Sequence, residues 1–279
     1  MKASISVVIV TYNRPRDAWE TIESLMKQSI PPLEIIVIDD ASSPPFTSKM
    51  ADGKVKLHRF EKEVGVSAAR NYGIQVACGN YIAFIDDDAV ADSRWIEEFQ
   101  KGMELKADVL GGPIEPLYEA SPPKWWTEKD FGHYVSIGNA PNKYADFTPG
   151  IWSANMVLKK ELVEAVGNFN TQVGRKGGKL LAREDVDLVN RAKEKGCKIL
   201  FLPKARVYHK VKSERMTIPY ILRWEYYMGK TQKILYGHNY SKTFFRVCKS
   251  LVSIVVSPLL GRSRVVKASA QLVRNLGRL

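Results

Sequence analysis

Three consecutive carboxylates, Asp86-Asp87-Asp88, follow the apolar run Tyr81-Ile82-Ala83-Phe84-Ile85, and no basic residue lies within five positions of them. Adjacent anions repel one another, and burying even one unpaired charge costs several kcal/mol, so the triplet needs a compensating cation where the strand meets solvent. A hard divalent metal, Mg2+ or Mn2+, suits that place, because it takes oxygen ligands and keeps waters and a phosphate in its shell. The other reading is a solvated acidic turn, with Asp88 or Asp92 capping a helix that enters at Trp95-Ile96. The triplet alone leaves both open.

The elements that must position it follow from hydrophobic periodicity. Ile5 to Val10 reads as a buried strand, followed by the turn Tyr12-Asn13-Arg14-Pro15 and a helix with the stripe Trp19, Ile22, Leu25 and Met26. Glu34 to Ile38 is a second strand ending in Asp39-Asp40, Val55 to Phe60 a third, Val66 to Ala77 a helix and Tyr81 to Ile85 a fourth strand. Near-continuous apolar strands alternating with helices predict a mostly parallel sheet covered on both faces. Ligands of such sheets sit at the carboxyl ends of the strands. The clusters Thr11-Tyr12-Asn13-Arg14, Asp39-Asp40 and Asp86-Asp87-Asp88 are therefore expected to converge on one crevice.

Beyond Ile96 the pattern is less regular. A helix from about Ser93 to Glu104 and a strand at Asp108-Val109-Leu110 precede a Pro- and Trp-rich stretch, Gly111 to Gly150, which reads as a long ordered loop. A strand at Met156-Leu158, a helix at Glu161-Val166, a helix from Glu184 and strands at Lys198-Phe201 and Ala205-His209 complete the series.

A chain of 279 residues with 45% hydrophobic content can fill a large α/β core. Cys78, Cys197 and Cys248 form no CxxC pair, which disfavours a disulfide framework or a structural zinc site and fits a reducing compartment. The N-terminal apolar strand is too short and wrongly flanked for a secretory signal, so a cytoplasmic location is expected. The net charge of +12 is confined to one end: residues 204–279 carry 16 Lys and Arg against 2 acidic residues, whereas residues 1–203 carry 26 against 28. The C-terminal cations are interleaved with Phe244-Phe245, Leu251-Val252, Ile254-Val255-Val256 and Leu259-Leu260. That mixture suits an anionic lipid surface better than nucleic acid, which would call for more stacking aromatics. Its apolar runs are too short to span a bilayer.

Six motifs, in order, resemble the family 2 glycosyltransferases: Val8-Ile9-Val10-Thr11-Tyr12-Asn13-Arg14, Val37-Ile38-Asp39-Asp40-Ala41-Ser42, Gly65 to Asn71, Phe84 to Asp88, Trp152-Ser153-Ala154-Asn155-Met156, and Glu184-Asp185-Val186-Asp187-Leu188. The resemblance covers residue 4 to about 210. It implies a GT-A fold, an α/β architecture, and an inverting, metal-dependent hexosyltransferase-type enzyme using a nucleotide-sugar donor, with UDP favoured. Residues 1–212 would form the GT-A domain, with a nucleotide-binding half at 1–105 and an acceptor-binding half at 106–212. Residues 213–279 would form a basic amphipathic helical segment, placing the enzyme peripherally on the cytoplasmic membrane face.

The same resemblance implies the site. Asp88 would bind Mn2+ or Mg2+, which neutralises the leaving diphosphate, with Asp86 or Asp87 toward the ribose. His209 is similar to a late histidine that some relatives use as a further ligand, and an ordinary histidine is the alternative. Asp40 would accept a hydrogen bond from the base, Arg70 would lie beside it, and Thr11, Tyr12, Asn13 and Arg14 would line the donor pocket. Asp185 would be the general base toward the acceptor hydroxyl, with Glu184 positioning it or the acceptor. The alternative is that this acidic pair merely favours a helix N-terminus.

Arg175, Lys176, Lys179 and Arg183 around Gly174, Gly177 and Gly178 could form a loop that closes on the diphosphate, or a solvated charge run. Trp125, Trp126 and Trp152 are candidate acceptor surfaces, with core packing expected of at least one. Tyr220-Ile221-Leu222-Arg223-Trp224 lacks the Gln of the Gln-x-x-Arg-Trp motif found in processive members, so single-sugar transfer to a glycan or lipid-linked acceptor is expected. The alternatives are a polyprenyl-phosphate sugar synthase and a non-catalytic nucleotide-sugar- or nucleic-acid-binding protein.

Overall fold

Alternate residues of the central strands point to opposite faces, and each face is buried, which is why these strands read as unbroken apolar runs. The structure, a computed structural model, describes residues 4–47, 53–127, 131, 151–237, 243, 246–251 and 262–279. These fall into two compact units: residues 1–116, 136–171 and 184–210, and residues 117–135, 172–183 and 211–279.

The first unit is built on a seven-stranded sheet. Its strands are β1 (Ile5–Thr11), β2 (Glu34–Asp39), β3 (Val55–Arg59), β4 (Tyr81–Ile85), β6 (Val109–Gly111), β8 (Asn155–Lys159) and β9 (Ile199–Phe201), in the order β3-β2-β1-β4-β8-β6-β9. β1, β2, β3 and β4 run parallel, and β8 is antiparallel to both neighbours, β4 and β6. The sheet is mostly parallel, as expected. β5 (Ala89–Ala91), β10 (Val207–Val211) and β7 (Ile114–Tyr118) form a second, three-stranded sheet.

One face of the main sheet offers Val7 and Ile9 of β1, Val37 of β2 and Ile85 of β4. They pack with Ile22 and Leu25 of α1 (Pro15–Met26) and with Trp95 and Phe99 of α3 (Trp95–Glu104). The other face offers Val8, Ile36, Ile38 and Phe84. They pack with Ala69 and Ile74 of α2 (Val66–Val76), Leu162 of α4 (Leu162–Val166) and Leu188 of α5 (Glu184–Glu194). The result is a three-layer unit with the carboxyl ends of β1, β2 and β4 at one edge.

The second unit has its own core of Trp126, Phe131, Val211, Met216, Ile221, Val266 and Ala270. Its helices α6 (Ile218–Tyr236) and α7 (Arg262–Gly277) approach closely, since a Cβ at Gly229 would lie 2.0 Å from the Arg274 carbonyl oxygen and one at Gly277 would lie 2.1 Å from that of Tyr226. Arg274 forks onto both oxygens of Glu225, and Arg278 reaches Gln232. Val266 and Ala270 of α7 are thus spent on protein packing rather than left as an open apolar face. Most of the interleaved residues between Phe244 and Leu260 lie outside the described residues. Among the described residues, no helix is long and apolar enough to cross a membrane.

Two elements depart from expectation. The stretch Gly111 to Gly150 contains β7, where Pro116 is tolerated because the strand lies at the sheet's edge. The three-residue β5 directly after the aspartates is too short to show any periodicity.

Candidate active site

Register alone predicts who meets at the strand ends. β1 and β4 pair with Val8 opposite Phe84, so three residues on Thr11 comes level with Asp87, and Thr11 Oγ1 donates to Asp87 Oδ2 at 2.8 Å. β10 is antiparallel to β5 with His209 opposite Ala89, which sets His209 beside Asp88, Nε2 to Oδ1 3.2 Å. β8 is antiparallel to β4 with Asn155 opposite Ile85, which brings the preceding turn at Ser153 to the same edge.

The cations missing from the neighbourhood of the triplet in sequence are supplied by the fold. Arg14, at the entry to α1, places Nη1 2.6 Å from Asp88 Oδ2 and 3.2 Å from Asp87 Oδ1. Arg70 of α2, buried, donates to Asp86 Oδ1 at 2.9 Å and to Glu184 Oε1 at 2.6 Å. Neither Asp88 nor Asp92 caps α3: its cap residue is Arg94, with no side-chain cap hydrogen bond, and Asp92 Oδ1 accepts from the Arg94 N–H at 3.0 Å in the turn ahead of the helix.

The three aspartates have separate surroundings. Asp87 is buried and turned toward Thr11 and Arg14; burial pushes its carboxyl up to about 7, with Arg14 opposing and Asp88 and Asp86 adding to the rise. Asp86 and Asp88 join His209 in a group whose ligand atoms all lie within 4.8 Å of one another. Two carboxylate oxygens and an imidazole nitrogen form a donor set that suits a divalent ion, and Mn2+ accepts the mixed O/N set more readily than Mg2+. The residues therefore fit a metal. Asp86 joins this group, where sequence reasoning placed it toward the ribose; Asp88 and His209 were the expected pair.

Glu184 and Asp185 open α5, and both are buried. Burial raises the Glu184 carboxyl and Asp185 adds to the rise, against the pull of Arg70. Among the described residues its second oxygen, Oε2, is buried without a hydrogen-bond partner. A buried acceptor left open is costly in a finished core and is suited to a ligand donor. Asp185 Oδ2 accepts from the Ser153 N–H at 2.9 Å and from the Ser153 hydroxyl at 3.2 Å, while Oδ1 accepts from the Val186 N–H at 2.7 Å. Ser153 was legible only as a polar residue inside the Trp152-to-Met156 motif.

The remaining pocket residues hold the loops in place. Asp40 accepts from the N–H groups of Val64 and Gly65 at 2.7 and 2.9 Å, which fixes the loop entering α2. Asn13 has φ 57°, and it ties two loops together: its N–H donates to Ser42 Oγ at 2.9 Å and its Oδ1 accepts from the Ser43 N–H at 2.7 Å. Tyr12 is exposed at the same turn. Asp39, buried, accepts from Ser42, Phe46 and Arg59. Asn155 is a scaffold residue, accepting from Trp95 Nε1 at 2.8 Å and donating to the carbonyls of Pro113 and Ala205 at 2.8 and 2.7 Å.

In the second unit, Trp126 is buried in a cluster with Phe131 and a partly buried Trp125. Trp152 packs partly buried against the main core of the first unit. The Gly- and cation-rich loop belongs to the second unit, where Arg223 Nη2 donates to the Gly178 carbonyl at 2.7 Å.

The chain resembles the glucosyl-dolichyl phosphate glucuronosyltransferase of Haloferax volcanii, at 26% identity over 240 residues covering 83% of this chain and 77% of that one. It also resembles the succinoglycan biosynthesis protein ExoM of Rhizobium meliloti, at 24% over 238 residues covering 81% and 73%. Among solved structures, S. aureus TarS superposes with TM-score 0.55 at 19% identity, and GalNAc-T7 with UDP, GalNAc and Mn2+ superposes with TM-score 0.61 at 18%. The match covers 81% and 89% of this chain but only 39% and 51% of those two, so these similarities speak for the fold, which is the GT-A fold. The model of the Glycosyl transferase family 2 matches residues 6–167, more than half of the chain, and this protein therefore belongs to the family 2 glycosyltransferases.

Proposed function

We propose that this glycosyltransferase moves one sugar, with inversion, from a nucleoside-diphosphate sugar, UDP favoured, to a saccharide or polyprenyl-linked acceptor. The observation that carries the reading is Arg70, which joins the metal-side Asp86 to the Glu184-Asp185 pair in one connected site. Asp86, Asp88 and His209 would hold a divalent ion, Mn2+ in the first instance, which when bound supplies Lewis-acid stabilisation of the diphosphate as it leaves.

Asp185 takes the proton of the acceptor hydroxyl as it attacks the anomeric carbon. Ser153 fixes one carboxylate oxygen, so that a lone pair of the group keeps a set direction. Glu184 Oε2 accepts from a hydroxyl of the bound sugar or acceptor, which satisfies an oxygen left open among the described residues. Attack by the acceptor hydroxyl from the face opposite the departing diphosphate, in a single displacement, would invert the anomeric centre. Thr11, Tyr12, Asn13 and Asp40 shape the pocket for the base, and Asp40 does so by holding the Val64-Gly65 backbone.

A lipid-linked acceptor is favoured by the relative named for a dolichyl-phosphate substrate and by the basic C-terminal region. With 16 cations against 2 acidic residues over 204–279, that region would rest on anionic lipid at the cytoplasmic face, through electrostatics rather than through the packed face of α7.

The test is a panel of nucleotide sugars scored by thermal shift with Mn2+, in which ligand at 100 times its dissociation constant stabilises by about 2.7 kcal/mol. The best donor is then offered with polyprenyl-linked saccharides and with free glycans. Mn2+-dependent stabilisation by a UDP-sugar and transfer to the lipid-linked acceptor are expected. Stabilisation by none of the panel would contradict the reading.

A further inference from the structure

Arg14 engages one of the carboxylates that would hold the metal. Its guanidinium Nη1 sits 2.6 Å from Asp88 Oδ2 while the opposite oxygen, Oδ1, faces His209 Nε2 at 3.2 Å, so both oxygens of a proposed ligand are already engaged by the protein. The same Nη1 lies 3.2 Å from Asp87 Oδ1, and Asp87 keeps a second partner in Thr11. The Arg14 side chain is 31% exposed, whereas that of Asp88 is 2% exposed. The guanidinium thus lies partly open to solvent, and the carboxylate does not.

A divalent ion arriving alone would have to push a fixed cation off Asp88 or sit against it, and at a few ångströms in a partly desolvated site that repulsion is strong. A diphosphate arriving with the ion changes the balance. It brings negative charge to the rim, and guanidinium binds phosphate oxygens in a planar, bidentate fashion, so the displaced Arg14 gains a partner equal to the one it loses.

We infer that Arg14 is an internal counter-cation for the metal-facing carboxylates, and that it makes divalent ion and nucleoside diphosphate enter the site together, moving from Asp88 to the diphosphate as they do. The inference rests on the reading that Asp86, Asp88 and His209 take a metal in a diphosphate site. It predicts a positive coupling between the two ligands, which by linkage must be equal in both directions.

The experiment measures Mn2+ binding directly, by loss of the free-ion EPR signal, with and without saturating UDP. The proteins are full-length wild type, Arg14→Met, Arg14→Lys and Asp88→Asn. In wild type UDP should tighten Mn2+ by tenfold or more. In Arg14→Met, Mn2+ alone should bind about tenfold tighter than to wild type, and the tightening by UDP should shrink by a similar factor. Arg14→Lys, which keeps a cation without the fork, should fall between the two and serves in place of the Met variant if that fails to fold. If wild type shows no coupling, or if Asp88→Asn loses Mn2+ while neither Arg14 variant changes affinity or coupling, the role of Arg14 is overturned and the metal site stands. If Asp88→Asn binds Mn2+ like wild type, the metal reading itself fails and the inference falls with it.

Discussion

Ser153 donates twice to one oxygen of Asp185, through its N–H at 2.9 Å and its hydroxyl at 3.2 Å, so the carboxylate proposed as base is held from a turn 32 residues away in sequence. Ser153→Ala keeps the N–H and removes the hydroxyl. Hydrogen bonds to charged groups contribute roughly 1.5–3 kcal/mol, so kcat should fall by about tenfold or more while KM for the donor stays near wild type. Steady-state kinetics check this, and a change confined to KM would assign Ser153 to binding instead.

Arg70 is buried between Asp86 and Glu184. Arg70→Met leaves those carboxylates facing each other and should cost about 3–5 kcal/mol of stability, because a buried ion pair broken on one side strands the other charge. Adding Glu184→Gln should recover part of the loss. Urea unfolding of the two single variants and the double variant gives the coupling, and strict additivity would contradict a shared network.

Asp39 sets a pH dependence of known sign. Burial alone would raise its carboxyl, but the donors Ser42, Phe46 and Arg59 outweigh burial and hold it below the usual range. A depressed folded-state value contributes stability that is present above the unfolded value and is lost as pH falls through the folded one. Stability measured between about pH 5 and pH 2 should therefore fall less steeply in Asp39→Asn than in wild type, since the unfolded value lies near 3.9. Parallel curves would show that Asp39 carries no such linkage.

In the second unit, Gly229→Ala would put a methyl group 2.0 Å from the Arg274 carbonyl oxygen. A backbone carbonyl cannot give way to the new methyl group as a flexible side chain could, so a loss of about 1–3 kcal/mol or more is expected from overpacking. Thermal unfolding should show it, and an unchanged midpoint would mean that α6 and α7 are not packed as described.

Much of the catalytic edge was legible because it depends on strand ends. A buried parallel strand must terminate where its apolar run stops, so Thr11, Asp40 and Asp86 to Asp88 could be placed at one edge from sequence. Which side chains pair there could not. Arg14 lies 73 residues from Asp87 and meets it through strand order, which no local period encodes. The resemblance set Arg70 beside the base, and its bridge between Asp86 and Glu184 emerges only once α2 and α5 are laid on the same sheet face. The C-terminal segment is ambiguous in a different way, since a basic amphipathic pattern does not reveal whether lipid or a neighbouring helix covers an apolar stripe; for α7 the cover includes α6. β7 was hidden by Pro116, which an edge strand tolerates.

The central claim is that Asp185 performs the proton transfer in a site whose metal and nucleotide are held by other residues. It is tested most directly by measuring sugar transfer and Mn2+-dependent UDP binding side by side in Asp185→Asn. Turnover should fall by about 10²- to 10⁴-fold, the usual contribution of a general base, with nucleotide affinity within about twofold of wild type. Turnover at the wild-type level would contradict the account.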